Sequence, residues 1–236
     1  MASLAALKER VSAEVDSIGE TMLEVSHFIH ANPELAFCEH RASERLRTTL
    51  EDAGISVEAG AYGLDTAFAS EFGPAGSACV ALLCEYDALP GIGHACGHNI
   101  IATASLGAAL ALHRMGAELP GRVRVLGTPA EERGGGKEIM ARRGAFDGVD
   151  AAMMVHPAGV DLATMPCIAI ADVEVTYHGR AAHASAAPQA GINALDALVL
   201  AYQGLSALRQ HLKTTERIHG IITHGGDASN IIPERA

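Results

Sequence analysis

The chain has 236 residues, a formal net charge of −11 and five cysteines. That length holds one large domain or two small ones and buries enough surface to need no disulfide staple. The acidic balance speaks against a nucleic-acid partner, which needs a basic face, and no apolar run reaches the ~18 residues of a membrane span.

Residues 1–10 lack the basic-then-apolar order of a signal peptide. The odd cysteine count does not suit a small secreted framework, so reduced thiols and a cytoplasmic setting are expected. Cys38, Cys79, Cys84 and Cys167 read as small core residues.

From the start of the chain, Leu4, Leu7, Val11, Val15, Ile18, Met22, Val25 and Ile29 recur every three or four residues. They predict one amphipathic helix to about residue 30, ended by Asn32-Pro33. His27 and His30 near its end read as structural, facing the negative helix terminus. A second helix is expected over 39–53, closed by Gly54. Val57 and residues 66–72 read as strands around the turn Tyr62-Gly63, and Gly73-Pro74-Ala75-Gly76 as a tight turn.

Residues 80–84 do not alternate and predict a strand buried on both faces. The ligand-rich stretch Glu85-Tyr86-Asp87-Ala88-Leu89-Pro90-Gly91-Ile92-Gly93-His94-Ala95-Cys96-Gly97-His98-Asn99 follows at once. A helix is expected over 100–115 and a short strand over 122–126. Gly127-Thr128-Pro129-Ala130 breaks the chain just before Glu131-Glu132. Gly134-Gly135-Gly136 lacks the lysine-serine ending of a phosphate loop and reads as the turn that opens a helix over 137–143. Residues 151–155 are strand-like and deliver His156-Pro157.

This alternation predicts an α/β domain over 1–165, a mostly parallel sheet with helices on both faces. Residues 166–236 change character: a strand over 168–178, a loop holding His183, a helix from 193 to about 212 and a strand over 218–223. They predict an inserted, smaller α+β module. It is only half written at Ala236, which makes the chain look truncated.

The polar residues fall where the chemistry of open α/β sheets is found, outside the carboxyl ends of the strands. Glu85/Asp87, Glu131/Glu132 and His156 each follow an apolar strand, so parallel strands would bring them to one edge. Cys96, His98, Glu132 and His156 together suit a borderline divalent ion: Zn²⁺, with Mn²⁺, Co²⁺ or Ni²⁺ possible. Adjacent Glu131 and Glu132 must point differently, so one can hold metal while the other faces substrate. Asp87 stands two residues past Glu85, and one of the two can orient a ligand from behind.

The runs Glu85-Tyr86-Asp87-Ala88-Leu89-Pro90, His94-Ala95-Cys96-Gly97-His98-Asn99, Pro129-Ala130-Glu131-Glu132 and Val155-His156-Pro157 resemble the dinuclear metallopeptidases of the aminoacylase and carboxypeptidase G type. Within these the chain is most similar to the amidohydrolase branch with a cysteine ligand, and to its Xaa-Arg or β-alanyl-lysine dipeptidase group. The resemblance implies two divalent metals per site, with Cys96, His98, Glu132 and His156 as ligands. It implies Glu131 as general acid/base and Asp87 as the catalytic aspartate that orients the site. The implied reaction is hydrolysis of an amide bond, in a dipeptide or N-acyl amino acid, by metal-activated water.

Residues 166–236 resemble that family's lid or dimerisation domain, which implies a homodimer. His183, in Gly179-Arg180-Ala181-Ala182-His183-Ala184, and Asn230, in Gly225-Gly226-Asp227-Ala228-Ser229-Asn230, match its substrate-binding positions. The family closes its metal site with one more histidine, farther downstream than Ala236. A non-catalytic binding or dimerisation fragment is therefore the alternative, and a hydrolase with Cys96 as nucleophile a remoter one.

Overall fold

Residues 3–164 and 169–236 are described in the computed structural model, which falls into two units, Met1–Asp161 and Leu162–Ala236. The first unit is built on strands β1 (Glu58–Ala59), β2 (Phe68–Phe72), β3 (Cys79–Glu85), β4 (Arg122–Thr128) and β5 (Ala151–Met153), in the spatial order β1-β2-β4-β3-β5. Its helices are α1 (Leu4–Ser17), α2 (Gly19–Ala31), α3 (His40–Asp52), α4 (His98–Arg114) and α5 (Gly136–Arg142).

β3, β4 and β5 run parallel, whereas β2 is antiparallel to β4 and β1 to β2. The sheet is therefore mixed rather than mostly parallel. Connection length explains this. A parallel pairing needs a crossover of roughly a dozen residues or more, and only the β3–β4 and β4–β5 links carry α-helices, α4 and α5. The links β1–β2 and β2–β3 are short turns, so the chain reverses.

The sheet is covered on both faces, and the period of two along β3 shows how. Leu82, Cys84 and Tyr86 join Val25, Ile29, Leu46, Leu50, Leu106 and Leu110 of α2, α3 and α4 in one core. Ala81 and Leu83 face the other way, with Leu126, Met140, Ala145 and Phe146. Ile29, Leu46 and Leu50 are wholly buried, and each contributes roughly 1.5–3 kcal/mol of burial.

The single helix expected over 4–30 is two helices. Ile18 leaves helical geometry at φ −106° and ψ 6°, and Gly19, a weak helix former, follows it. The break lets Ile18 turn into the core at 4% exposure, while α1 has no buried residue. Cys79 and Cys84 are core residues as expected, but Cys38 is exposed. Cys167 lies outside the described residues.

The second unit carries α6 (Ala194–Leu208), whose N-cap Asn193 accepts hydrogen bonds from the Leu195 and Asp196 amides at 2.9 and 3.2 Å. The strands expected over 168–178 and 218–223 do not form among the described residues; Ile168 lies outside them. A row of alternating apolar residues becomes a strand only where a neighbour accepts its ladder. Here the pairing is scattered into isolated bridges, His178 with Arg235, Arg180 with Ile192 and His183 with Ile231. Among the described residues no helix is long and apolar enough to cross a membrane.

Candidate metal centre

Parallel register sets the centre. Glu85 pairs with Thr128 and Leu82 with Met153, so the chain leaves β3, β4 and β5 at one sheet edge. The groups that follow, Asp87, Glu131/Glu132 and His156, stand together for that reason alone. Glu85 shares the strand face of Ala81 and Leu83, the face covered by α5. Lys137, the second residue of α5, makes a direct ion contact with its buried carboxylate.

Gly97 closes the loop from β3 to α4. It caps α4 at φ +78°, and a Cβ there would stand 2.8 Å from Cγ of Pro157. Only glycine fits both the left-handed turn and that approach. The contact presses the His156-Pro157 segment against the loop holding Cys96 and the first turn of α4, which opens with His98. The His98 and His156 rings lie 6.3 Å apart between centroids, nearly perpendicular at 86°.

His98 is almost fully buried at 1% exposure. Its Nδ1 lies 2.8 Å from the Asp87 carbonyl oxygen and 3.0 Å from Asp87 Oδ1. Both are acceptors, so Nδ1 carries the hydrogen and donates. The neutral ring then presents a lone pair on Nε2. That atom has no hydrogen-bond partner. It faces Glu85 at 3.7 Å, Glu132 at 3.7 Å and Glu131 at 3.8 Å. Acceptors turned toward one another around a buried ring nitrogen favour a positive charge between them, a proton or a metal ion. Burial alone would push the ring toward neutrality, but the Asp87 hydrogen bond and the charges of Asp87, Glu132 and Glu131 outweigh it and raise its pKa above 6.5.

Asp87 ties the parts together. Its second oxygen accepts the Glu132 amide at 2.9 Å. Burial would raise its pKa, yet the bonds from His98 and the Glu132 backbone bring it below 3.8. Glu131 keeps 42% side-chain exposure and Glu132 21%, so Glu131 is the more open of the adjacent acids. Its pKa is raised, first by burial and then by the Glu132 charge. Glu132 beside the Cys96 thiol, with burial and the two glutamate charges, pushes its pKa up to about 11. A free thiolate nucleophile is thereby disfavoured. His156 donates from Nδ1 to the Pro157 carbonyl at 2.7 Å, which leaves its Nε2 as a lone-pair donor as well.

Of the ligands expected from the sequence, His98 and Glu132 face each other, Cys96 lies near Glu132 and His156 stands beside His98, but among the described residues these four do not form one group of mutually close donor atoms. Glu85, outside that set, also reaches the centre: Glu85, His98 and Glu131 each offer an atom within 4.8 Å of the others. The strand period was the signal for it, since Glu85 and Asp87 share a face. In the second unit, the Ala184 amide bonds the Asn230 carbonyl at 2.9 Å, which brings the exposed His183 and Asn230 into neighbouring loops.

Known proteins resemble this chain along most of its length. It is 48% identical over 246 residues to the Xaa-Arg dipeptidase of Mus musculus, covering 98% of this chain and 57% of that protein. Thus it spans little more than half of that relative. The YXEP protein of Bacillus subtilis, a dinuclear metal-binding peptidase of the M20 family, aligns at 28% identity and TM-score 0.54 over 58% of this chain and 42% of its own. The aminobenzoyl-glutamate utilization protein of Klebsiella pneumoniae shares the fold, at TM-score 0.71 over 96% of this chain and 67% of its own, with 19% identity. Residues 81–231 match the model of peptidase family M20/M25/M40, and the chain belongs to that family.

Proposed function

We propose that the chain carries the metal-binding half of an amide hydrolase that cleaves a dipeptide or N-acyl amino acid. What carries this is the bare, buried Nε2 of His98 facing three carboxylates. A divalent cation would satisfy that cluster. We assign it to Cys96, His98, Glu132 and His156, the ligands the family resemblance implies, and such a mixed thiolate, imidazole and carboxylate set suits Zn²⁺, Mn²⁺, Co²⁺ or Ni²⁺; Glu85 and Glu131 border it without being assigned as ligands. Two ions per site is the family pattern that the YXEP protein supports. When bound, such an ion polarises a carbonyl and lowers the pKa of water to roughly 7.

The chain's own residues do the rest. Asp87 orients the His98 ring and fixes its tautomer. Glu131, the more open acid with a raised pKa, takes a proton from water and passes it to the leaving amine. The 48% identity to an Xaa-Arg dipeptidase makes dipeptides with a basic C-terminal residue the first substrates to try. His183 and Asn230 are assigned to substrate binding within the second unit.

Homodimerisation through that unit belongs to the same proposal. Ile170, Val173 and Ile221 are more than three-quarters exposed there, and such apolar surface favours a partner. A cytoplasmic setting fits the free thiols Cys38, Cys79, Cys84 and Cys96.

The test is a panel of dipeptides and N-acyl amino acids with basic, acidic and apolar C-terminal residues, assayed with and without added metal. Hydrolysis should require a divalent ion. Glu131→Gln should cut kcat by about 10²–10⁴ and leave metal stoichiometry unchanged. Turnover that survives chelation, or an active Glu131→Gln, contradicts the proposal.

A further inference from the structure

Glu39 is a carboxylate that the proposed chemistry does not use, and it is completely buried. It stands just ahead of α3, far in sequence from the glutamate pair. Its Oε1 accepts the Ala130 amide at 2.8 Å and the Phe37 amide at 3.0 Å. Its Oε2 accepts the Thr66 hydroxyl at 2.8 Å. The two amides belong to unusual residues. Ala130 has φ +58° and Phe37 φ +61°, left-handed backbone that a residue with a Cβ rarely adopts. One carboxylate therefore holds two left-handed residues in place.

Ala130 comes directly before Glu131 and Glu132. Its amide is tied to Glu39, and the Glu132 amide is tied to Asp87 at 2.9 Å. The turn is thus pinned on both sides of Glu131 by two carboxylates from different parts of the fold. The Ala130 carbonyl accepts the Gly136 amide at 3.2 Å, which closes the loop behind it. Released to a right-handed or extended conformation, Ala130 would swing Glu131 away from its place beside His98.

We propose that Glu39 is a positioning residue: its hydrogen bond holds Ala130 in the left-handed turn that aims Glu131 at the centre, and it governs turnover rather than substrate affinity. This rests on the assignment of the proton-handling role to Glu131.

The variants separate hydrogen bonding from charge and from mere packing. In Glu39→Gln, the amide oxygen still accepts from Ala130 and Phe37, and the NH₂ group can donate to Thr66. In Glu39→Asp, the side chain is one methylene shorter and its oxygens withdraw from Ala130. Ala130→Gly supplies a residue that adopts positive φ without a tether.

Full-length, metal-loaded protein should show kcat near wild type for Glu39→Gln. It should show kcat lower by on the order of 100-fold for Glu39→Asp, with KM nearly unchanged. Adding Ala130→Gly to Glu39→Asp should recover most of that loss. Amide hydrogen exchange on metal-free protein gives a second readout: Ala130 should be protected in wild type and Glu39→Gln, and exposed in Glu39→Asp. A Glu39→Asp enzyme with wild-type kcat, a loss that Ala130→Gly does not relieve, or a Glu39→Gln as damaged as Glu39→Asp overturns the proposal. A wild-type chain that hydrolyses nothing contradicts the amidase assignment instead. Exchange at Ala130 then still decides whether Glu39 holds the turn, and an unprotected wild-type Ala130 overturns it.

Discussion

The Asp87 carboxylate stands 3.0 Å from Nδ1 of His98, beside the Asp87 carbonyl at 2.8 Å, and these two acceptors together determine what the opposite ring nitrogen can do. With the hydrogen held on Nδ1, Nε2 is left as a lone pair aimed at three glutamates. Loss of such an orienting carboxylate typically costs 10–100-fold in metal affinity. Asp87→Ala should therefore weaken binding of Zn²⁺ or Mn²⁺ by about that factor in calorimetric titration, the more so because Asp87 also holds the Glu132 amide. Unchanged affinity would show that the ring is oriented by something else.

The same pair makes the metal-free fold sensitive to pH. The raised pKa of His98 contributes stability that is full below 6.5 and lost as pH rises through the folded value. The lowered pKa of Asp87 contributes stability that is full above 3.8 and lost as pH falls through the folded value. Both contributions are complete only between those limits. In chelator, the urea midpoint should peak in weakly acidic solution, and Asp87→Asn should flatten the peak. Metal should reverse the trend on the alkaline side, because the imidazole must be neutral to bind it. A metal-free midpoint that climbs steadily to pH 8 would contradict this.

Lys137 answers the charge of Glu85, which is 1% exposed. Burial pushes the Lys137 ammonium down to about 8, yet its removal would strand a buried carboxylate. Lys137→Met should lower the stability of metal-free protein by roughly 3 kcal/mol, and should tighten divalent cation binding, because Glu85 then faces the centre uncompensated. Glu85→Gln in the same chain should restore the stability and remove the gain in affinity. Thermal melts and calorimetry on the three variants check both signs.

Cys96 offers a chemical probe. With a pKa of about 11, roughly one thiol in a thousand is ionised at pH 8. Metal-free protein should therefore be alkylated at Cys96 more slowly than at the exposed Cys38, by mass spectrometry of the labelled peptides. Glu132→Ala, which removes both the acceptor and its charge, should speed the reaction at Cys96. If Cys96 is the fastest thiol in the metal-free wild type, Glu132 does not hold it protonated.

The strand polarity that assembles the centre was legible in the sequence, because each acid or histidine follows an apolar strand and parallel strands share an exit edge. The antiparallel β1–β2 edge was masked by alternation alone; it depends on links too short to cross over. The break at Ile18 was hidden because the apolar period runs through it unchanged, and only the burial of that side chain requires the turn. Glu39 gave no local sign of its reach to Ala130, since a hydrogen bond between distant segments leaves no period. Lys137 reads as an ordinary helix-start residue until α5 is laid over the face of β3 that carries Glu85. In the second unit the alternation of Val173, Val175 and Tyr177 pointed to a strand, but a strand needs a partner, and the pattern of one segment does not supply it.

Equilibrium dialysis of the full chain against Zn²⁺ or Mn²⁺, with the His98→Ala variant beside it, tests the central claim most directly. At least one ion should be retained per chain by the wild type, and His98→Ala should lose it while remaining folded by circular dichroism. A wild-type chain that retains no ion, or a His98→Ala chain that retains the same number, would contradict the assignment of this cluster as a metal centre.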